Sequence, residues 1–441
     1  MDGKTHGAGV TRRELVRRAL VAGGAVALPA IVPAAALGRG NAVAPSDRIV
    51  LGGIGLGPRG QDVLRSMLVE RDVQFVATCD IRADRRQSVK AMADNHYGNR
   101  DCAMYRDLRE LLARPDIDAI LVATGDRWHG PASILAAKAG KDVFAEKPCA
   151  LSIGLCQALD DTFRRYGRVF QAGTQRRSVP NFQAAVRLAH TGKLGRLHTL
   201  HASLTPLSIA RFWLPAQPEP PRDEIDWDLW LGPAPWRPYN RTYVDGGWRG
   251  HHDFVGGAEV LEWGSHTVDL CQWANQSDDA APVEYEAEGQ TIHARYANGV
   301  KLLMRQAHVP WVQGAVGEGW IPGLGTCPVR FEGDEGWVET GDNGIIEVHP
   351  KSLRAELEGV RRIAGTDAAG HGRNFLDCVR SGAQPACNAK VMRHGHIACH
   401  AAGLAWQLGR KMRFDPATET FTGDAEANRL RHRAMREPWR V

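Results

Sequence analysis

Two apolar stretches end in residues whose types and spacing suit dinucleotide binding. Gly55, Gly57 and Gly60 form a G-x-G-x-x-G turn directly after one apolar run, and Asp80 ends the next run. Such glycines permit a tight bend, close approach of a pyrophosphate and close helix packing, while the acid accepts hydrogen bonds from the adenosine ribose. An acid there repels a 2′-phosphate, so NAD is favoured. NADP stays possible because three arginines follow closely: Arg82, Arg85 and Arg86.

A charged pair ends a further apolar run, in VFAEKP. Glu146 and Lys147 follow the run, and Pro148 cannot donate a ladder hydrogen bond, so a strand should end here. Thr124 and Asp126 follow another apolar run in the same way. Ligands of open parallel sheets bind at the carboxyl ends of the strands. We therefore expect the charged pair at a ligand crevice, near the nicotinamide end of the cofactor.

The elements that must position these residues alternate along the first half of the chain. Apolar runs of about five residues alternate with amphipathic stretches, as in IVLGGIGLG, VQFVATCD, DAILVATG, KDVFAEKP and RVFQAG. This predicts a parallel sheet covered by helices on both faces, a doubly wound α/β fold. We assign residues 45–175 to this Rossmann domain.

The pattern changes after about Ser178. TIHARY and VKLLMRQ flank an Asn-Gly turn, and VRFEGDEGWVET has the form of a second hairpin. Between these regions and the first domain, the tryptophan-rich segment 225–236 predicts a long ordered loop. We assign residues 176–441 to a second, α+β domain.

Length and composition fit two soluble domains. The chain has 441 residues, 43% hydrophobic and 24% charged, which exceeds the usual size of one core. Its net charge is only +5, and part of that excess lies in the N-terminal segment, so no basic face predicts nucleic-acid or anionic-lipid binding. Nine scattered cysteines without C-x-x-C pairs predict neither a disulfide framework nor a zinc site.

The N-terminal 44 residues are predicted to be an export signal and linker. Arg12 and Arg13 precede an alanine-rich apolar run that ends in small residues suited to a signal peptidase, an order that resembles a twin-arginine signal. Glycines and prolines interrupt the run, so a cleaved signal is favoured over a retained anchor or a disordered tail. The prediction is a periplasmic protein with no stable membrane span after processing.

The chain resembles the Gfo/Idh/MocA family of oxidoreductases. The resemblance rests on Gly55-x-Gly57-x-x-Gly60, Asp80, Thr124-x-Asp126-x-Trp128-His129 and Glu146-Lys147-Pro148, and it continues through Gly173-Thr174-Gln175-Arg176-Arg177, Trp248-Arg249, Gly256-Gly257, His266 and Asp269. It implies a second domain with a large, mostly antiparallel sheet. Because relatives commonly use that sheet for oligomerisation, we expect a homodimer or homotetramer.

The family pattern implies a catalytic set of Lys147, Glu262 and His266. Glu262 stands where the family has aspartate, one methylene shorter, and its spacing of four from His266 places both on one helix face. In this set His266 is the general base, Lys147 stabilises the developing alkoxide, and Glu262 orients His266 or binds a hydroxyl.

The resemblance also implies contacts to cofactor and substrate. Besides the three glycines and Asp80, the cofactor-binding set comprises Pro58, Arg59, Ile81, Arg82, Thr124, Asp126, Trp128, His129, Glu146, Lys147, Gln175, Trp248 and Arg249. The expected substrate-binding residues are Arg176, Tyr243 and His252.

Other histidines and tryptophans receive simpler interpretations. The neighbours His251 and His252 do not converge on a metal without further ligands, so no metal site is predicted. His396 and His400 share a helix face, where packing is favoured. Four tryptophans could stack on sugar rings or pack in the core: Trp227, Trp230, Trp236 and Trp248.

The predicted activity is hydride transfer between a nicotinamide cofactor and a secondary alcohol of a sugar or polyol. Because free NAD is scarce outside the cytoplasm, export favours a tightly held cofactor that is restored in each cycle. The alternatives are an NAD-dependent glycoside hydrolase, working by transient oxidation, elimination and re-reduction, and a binding protein that retains the cofactor fold.

Overall fold

The computed structural model describes residues 43–307, 319–365 and 368–441. The predicted export signal lies outside these residues, apart from the last two residues of the assigned segment. No helix within the described ranges is both long and apolar enough to cross a membrane.

The first sheet has six parallel strands, which are β1 Ile49–Ile54, β2 Val73–Cys79, β3 Ala103–Tyr105, β4 Ala119–Val122, β5 Asp142–Ala145 and β6 Phe170–Ala172. Their order is β3-β2-β1-β4-β5-β6, and every pairing is parallel. This is the order of a doubly wound dinucleotide fold, whose strand order reverses between β1 and β4. The predicted fold class is confirmed.

Five helices connect these strands: α1 Pro58–Leu68, α2 Ala83–Tyr97, α3 Leu108–Leu112, α4 Asp126–Lys138 and α5 Ile153–Tyr166. Helix α1 begins with Pro58 directly after the glycine turn, a position where the missing N–H carries no penalty. Its buried face comprises Val63, Leu64, Met67 and Leu68, and it packs on the sheet. The glycine turn before α1 follows β1, and the start of α4 follows β4. Because β1 and β4 are neighbours where the strand order reverses, these two segments lie close together.

The second domain begins with α6, Pro180–His190, and is built on a nine-stranded sheet. Its strands are β7 Leu197–Leu204, β8 Glu284–Glu288, β9 Thr291–Arg295, β10 Lys301–Gln306, β11 Val329–Gly333, β12 Gly336–Thr340, β13 Ile346–His349, β14 Met412–Asp415 and β15 Thr420–Phe421. The order is β13-β12-β11-β7-β10-β9-β8-β14-β15, with only β7 and β10 parallel. Both predicted hairpins are present, as β9–β10 and β11–β12.

Four helices complete this domain: α7 Trp227–Leu231, α8 Val260–Ala274, α10 Ala389–Leu408 and α11 Ala425–Arg429. Helix α8 packs against β7 and α10. Because α7 lies within the tryptophan-rich segment, that segment is ordered as predicted but carries a helical turn.

The chain returns to the first domain near its end. Helix α9, Ala368–Ser381, packs on α1, and Phe375 meets Phe144 of β5 edge to face. Further on, Trp439 packs against Trp128. Helix α9, from the far end of the chain, thus covers part of the first sheet. The alternation of strands and helices in the first half of the sequence does not predict this contact.

All nine cysteines are buried free thiols. This agrees with the expectation that they form no disulfide framework.

Candidate active site

The glycine turn is crowded on every side. Gly55 has φ +71°, and a Cβ there would lie 2.3 Å from Thr124 Cγ2. A Cβ at Gly57 would lie 2.6 Å from Arg85 Nη1, and one at Gly60 would lie 2.8 Å from the Ala123 Cβ. Gly55 and Gly60 have no room for a side chain, whereas at Gly57 the flexible end of Arg85 would have to move.

A cavity of about 380 Å³ lies over this turn at the carboxyl ends of β1 and β4. The predicted cofactor residues on its wall are Gly55, Gly57, Pro58, Arg59, Gly60, Asp80, Ile81, Arg82, Thr124, Trp128, Trp248 and Arg249. The predicted residues Asp126, His129, Glu146, Lys147 and Gln175 are not part of this wall. Four of them form hydrogen bonds or ion pairs beside the cavity: His129, Glu146, Lys147 and Gln175.

Asp80 presents a free acceptor to the cavity. Its Oδ1 accepts a hydrogen bond from the Arg82 amide at 2.9 Å, whereas its buried Oδ2 has no partner among the described residues. Burial raises the pKa of this carboxyl. A buried acceptor without a donor suits the hydroxyls of an adenosine ribose. The site therefore fits NAD.

The three arginines that left NADP possible have different surroundings. Arg82 pairs with Asp84 at 2.6 Å, and Arg86 donates to the Asp80 carbonyl at 2.7 Å. Arg85 lies on the cavity wall beside Gly57. Arg85 is thus the one of the three placed to meet the anionic part of the cofactor.

Arg127 is a cavity residue that the sequence did not single out. Its guanidinium lies 3.4 Å from the ring centre of Trp230, and Nε donates to the Trp230 carbonyl at 2.6 Å. Nη1 is buried and, in the described part of the chain, has no hydrogen-bond partner. Burial lowers the pKa of Arg127 to about 9. Its only sequence signal is its place inside the Thr124–His129 motif.

Glu146 ties the glycine-turn helix to the strand ends. Its Oε1 accepts from Arg59 Nε at 3.0 Å and from Gln175 Nε2 at 2.8 Å. Gly173 leaves the room for this carboxylate, because a Cβ there would lie 2.9 Å from Glu146 Cδ. Glu146 therefore fixes the backbone that carries Lys147 on the cofactor side.

His129 bridges two strand ends through backbone contacts. Its Nδ1 lies 2.8 Å from the Pro148 carbonyl and its Nε2 lies 3.1 Å from the Thr124 carbonyl. Burial lowers the pKa of His129 to about 4. Next to it, Trp128 donates from Nε1 to the Leu229 carbonyl at 2.8 Å. These contacts position the crevice wall and leave no proton-transfer role for His129.

Lys147 and Glu262, two members of the predicted catalytic set, are in contact. Lys147 Nζ donates to the Glu262 carbonyl at 2.6 Å and lies 3.5 Å from Glu262 Oε1. The charge of Lys147 is the main cause of the lowered pKa of Glu262, which burial opposes. The glutamate at this position thus reaches the lysine.

His266 lies one turn further along α8 and is almost completely buried. Its Nδ1 has no hydrogen-bond partner within residues 43–307, 319–365 and 368–441. Burial, followed by the positive charges of Arg176 and Lys147, lowers the pKa of His266 well below its usual value. Because burial disfavours the charged form, His266 is held as the neutral imidazole, which is the form that can accept a proton, and its role as the base stays a prediction.

The three predicted substrate residues do not come together. Arg176 forms a buried two-point ion pair with Asp342, at 3.0 and 2.6 Å. The Tyr243 hydroxyl accepts from the Leu214 amide at 2.7 Å and from Arg237 at 3.1 Å, inside an aromatic cluster. Of these, only Arg176 influences His266 electrostatically. Two protein donors thus occupy the acceptor side of the Tyr243 hydroxyl, and its substrate contact stays a prediction.

His252 lies on a second cavity, of about 280 Å³, together with Arg433 and His400. Burial and Arg433 lower its pKa to about 4. The side chain of His252 thus lines a different cavity from the one over the glycine turn, and its substrate contact stays a prediction.

The remaining histidines and tryptophans mostly serve packing. His396 Nε2 accepts from the Cys149 amide at 3.0 Å, and His400 Nε2 lies 3.1 Å from the Ala150 carbonyl. Trp227 and Trp230 stack with ring centres 4.6 Å apart inside the aromatic cluster, while Trp236 is exposed. No group of three or more potential metal ligands occurs in the part of the chain that the structure describes.

Fold and crevice together define a dinucleotide-binding protein of the doubly wound class. Residues 48–174 match the family model "Oxidoreductase family, NAD-binding Rossmann fold", and residues 209–312 and 333–441 match "Oxidoreductase family, C-terminal alpha/beta domain". The chain belongs to the Gfo/Idh/MocA oxidoreductase family, and its first domain is the NAD-binding Rossmann domain of that family.

Each of the curated relatives matches about a third of the chain. The myo-inositol 2-dehydrogenase of Thermotoga maritima is 29% identical over 150 residues, covering 34% of this chain and 43% of that protein. The inositol 2-dehydrogenase of Pseudomonas fluorescens is 32% identical over 155 residues, covering 35% of this chain and 45% of that protein. The chain thus spans less than half the length of these relatives.

Solved structures resemble nearly the whole described fold. The WlbA dehydrogenase of Bordetella pertussis, in complex with NADH and UDP-GlcNAcA, superposes with a TM-score of 0.61 at 18% identity, covering 83% of this chain and 98% of that one. The scyllo-inositol dehydrogenase of Lactobacillus casei, with NAD(H) and scyllo-inositol, gives 0.57 at 14% identity, covering 83% and 99%. At these identities the likeness shows the fold.

Proposed function

We propose that the protein transfers hydride between NAD and a secondary alcohol of a sugar or polyol. The observation that carries the proposal is the Lys147–Glu262 pair, in which Nζ lies 2.6 Å from the Glu262 carbonyl. This pair follows β5 and adjoins Glu146, which binds Arg59 on the wall of the dinucleotide cavity. A lysine at this edge suits an alcohol oxygen that gains negative charge during oxidation.

Each side chain has a distinct task in this reaction. Bound NAD supplies the hydride acceptor. The ammonium of Lys147 binds the alcohol oxygen and stabilises the negative charge that develops as the O–H proton leaves. The positive charge of Lys147 keeps the pKa of Glu262 low. Glu262 therefore stays ionised and orients Lys147. Neutral His266 accepts or donates a hydrogen bond at the substrate without carrying charge.

The charges of the site favour a neutral substrate rich in hydroxyls. Asp126 is buried next to Glu262 and Glu259, and burial followed by Glu262 raises its pKa well above the usual value. A carboxyl group that keeps its proton is neutral and can both donate hydrogen bonds to hydroxyls and accept them. The inositol dehydrogenases among the relatives are consistent with a cyclic polyol or sugar.

One assay separates the possible activities. The protein, purified with any retained cofactor, is incubated with inositols, free aldoses and aryl glycosides while nicotinamide absorbance and aryl release are followed. We expect nicotinamide reduction with one of the free polyols or sugars. Aryl release without net redox change would contradict the proposal and favour the hydrolase. Lys193→Ala, on an exposed lysine paired with Glu356, is a matched control that should leave activity unchanged.

We further propose that the protein is exported through a twin-arginine signal with its cofactor already bound. The Arg12-Arg13 pair and the dinucleotide turn in one chain support this. Fractionation of cells should recover the processed chain in the periplasm, and denaturing it should release about one NAD or NADP per chain. A chain found unprocessed in the cytoplasm, or one without nucleotide, would contradict the corresponding part.

We also propose a homo-oligomer, a dimer or tetramer, on the basis of the large sheet of the second domain. Analytical ultracentrifugation of the purified protein measures its mass in solution. A monomer at micromolar concentration would contradict this.

A further inference from the structure

The wall of the dinucleotide cavity carries more positive than negative side chains. Six arginines and two aspartates line this cavity of about 380 Å³. The arginines are Arg59, Arg82, Arg85, Arg106, Arg127 and Arg249, and the aspartates are Asp80 and Asp245. Such an excess favours an anionic ligand, because a negative charge offsets the cost of holding the arginines away from water. The pyrophosphate is the anionic part of NAD.

The six arginines differ in whether a carboxylate already compensates them. Three are in ion pairs, at nitrogen–oxygen distances of 3.0, 2.6 and 3.1 Å: Arg59, Arg82 and Arg106. The other three have no carboxylate oxygen of the described residues within 4.0 Å: Arg85, Arg127 and Arg249. Of these three, Arg127 alone is buried, with 4% of its surface exposed.

Aromatic contacts hold the Arg127 guanidinium in place. It lies 3.4 Å from the ring centre of Trp230 and 5.3 Å from that of Phe254, and Nε donates to the Trp230 carbonyl at 2.6 Å. The two rings pack edge to face with centres 5.0 Å apart. A side chain held in this way loses little freedom when a ligand binds, so its remaining donors are preorganised.

Nη1 of Arg127 is the donor that these contacts leave open. It is buried and has no hydrogen-bond partner in the portion of the chain that the structure describes. It lies beside Gly125, where a Cβ would be 2.5 Å away. Arg127 borders both cavities, whereas Gly125 borders the one over the glycine turn and not the second. Nη1 is therefore on the side of the dinucleotide cavity.

The neighbouring acid compensates the charge of Arg127 poorly. Asp126 favours the charged form of Arg127, yet burial raises the pKa of Asp126 well above its usual value. Burial lowers the pKa of Arg127 to about 9, so the guanidinium is still protonated at neutral pH. A buried cation without a partner is costly, and an opposite charge normally compensates it. A bound anion can supply that charge.

We propose that Arg127 binds the pyrophosphate of NAD together with the backbone of the glycine turn. A guanidinium suits this contact, because its planar donors match phosphate oxygens. The amides at the start of α1 supply further donors. Arg127 thereby connects phosphate binding to Trp230 of the second domain. The contact involves the cofactor alone, so it does not depend on which alcohol is oxidised.

The test compares two ligands that differ in the pyrophosphate. Adenosine and ADP share the base and the ribose, and each displaces NADH from the loaded protein while nicotinamide fluorescence is followed. In Arg127→Met, which removes the charge, we expect the affinities for ADP and NAD to fall about 10-fold or more. The affinity for adenosine should stay within about twofold of wild type. The control Arg196→Met, at an exposed arginine paired with Asp334, should bind all three ligands as wild type does.

A second variant and a second readout keep the test decisive. Arg127→Lys keeps the charge without the planar fork, so its loss should be smaller and again confined to ADP and NAD. ADP should raise the melting temperature less in Arg127→Met than in wild type, whereas adenosine should raise both equally.

Two outcomes would overturn the role of Arg127. Unchanged ADP affinity in Arg127→Met would show that the guanidinium does not meet the phosphates. Equal losses for adenosine and ADP would make Arg127 a structural residue of the cavity wall. Neither measurement needs an alcohol, so failure of the proposed hydride transfer would leave both results standing.

Discussion

The two halves of helix α8 both carry buried charge, but they use it differently. In the second half, Asp269 accepts two hydrogen bonds from Arg177, at 2.7 and 3.0 Å, and Arg177 also binds Asp278 at 2.6 Å. In the first half, His266 Nδ1 is buried without a partner among the described residues, as is Oε1 of Glu259 just before the helix. Closed charge pairs stabilise the fold, whereas open ones are available to a ligand.

Mutations in the two halves of α8 should therefore have different effects on stability and on catalysis. Breaking a closed buried pair leaves an uncompensated charge in the interior. Removing Glu259 or His266 breaks no such pair, because their buried polar atoms already lacked hydrogen-bond partners among the described residues. Stability should therefore depend on the Arg177–Asp269 half, and catalysis on the half beside Lys147.

The largest effect is expected from Lys147→Ala. Loss of the ammonium at the reacting oxygen should reduce kcat by about 1000-fold or more, because it acts on charge that develops only in the transition state. NAD affinity and the melting temperature should change little. Steady-state kinetics, fluorescence titration and thermal unfolding measure the three quantities, and turnover within a factor of two of wild type would exclude Lys147 from the reaction.

Asp269→Asn should have the reverse profile. It removes one of the two carboxylates paired with buried Arg177, while Asp278 remains, so the free energy of unfolding should fall by about 3 kcal/mol. Activity per folded molecule should persist at a temperature where the variant is folded. Denaturant unfolding measures the change, and stability equal to wild type would show that the pair does not hold the fold.

Asp80→Ala tests the cofactor end of the crevice. Removing an acceptor with a buried free oxygen should weaken NAD binding about 10-fold to 100-fold, because hydrogen bonds to charged groups contribute about 1.5–3 kcal/mol. The rate at saturating NAD should change much less. Calorimetric titration with NAD measures the affinity, and an unchanged dissociation constant would contradict the ribose contact.

Glu262→Asp introduces the aspartate that the resemblance to the family implies at this position. Because aspartate is one methylene shorter, its carboxylate should move away from Lys147, and we expect kcat to change about 2-fold to 10-fold. The pH dependence and kcat of the variant measure the effect. A loss as large as that of Lys147→Ala would mean that the site is built specifically around glutamate.

The smallest effect concerns stability against pH. The pKa of Glu259 is raised to about 7 in the fold, above that of an unfolded glutamate at about 4.3, so the folded state binds the extra proton between these values. Its contribution to stability is therefore full below about pH 4 and is lost as pH rises towards 7. Glu259→Gln should be relatively more stable than wild type at pH 8 than at pH 4. An equal difference at both pH values would contradict the shift.

The cofactor half of the site could be predicted because its determinants are local. Gly55, Gly57 and Asp80 act within one strand–helix–strand unit, so spacing along the chain fixes their place in the crevice. The sheet order follows from the same alternation. Lys147 and Glu262 were paired through the family pattern, and the structure brings them together.

The rest depends on contacts that spacing does not encode. The position of the Arg127 guanidinium depends on its contact with Trp230, about a hundred residues away. Helix α9 packs on the first domain although it lies far from that domain along the chain. Glu259 depends on a left-handed backbone that its residue type does not indicate. Tyr243 has the right chemistry for substrate binding, yet its hydroxyl is already engaged by protein donors.

The central claim is that the open charges beside Lys147 perform the chemistry while the closed pair at Asp269 holds the fold. One comparison tests it: the rate at which a polyol reduces bound NAD, in a single turnover, for wild type, Lys147→Ala and Asp269→Asn, each measured where it is folded. The account predicts reduction at close to the wild-type rate in Asp269→Asn and none detectable in Lys147→Ala. Reduction by Lys147→Ala at the wild-type rate would contradict it.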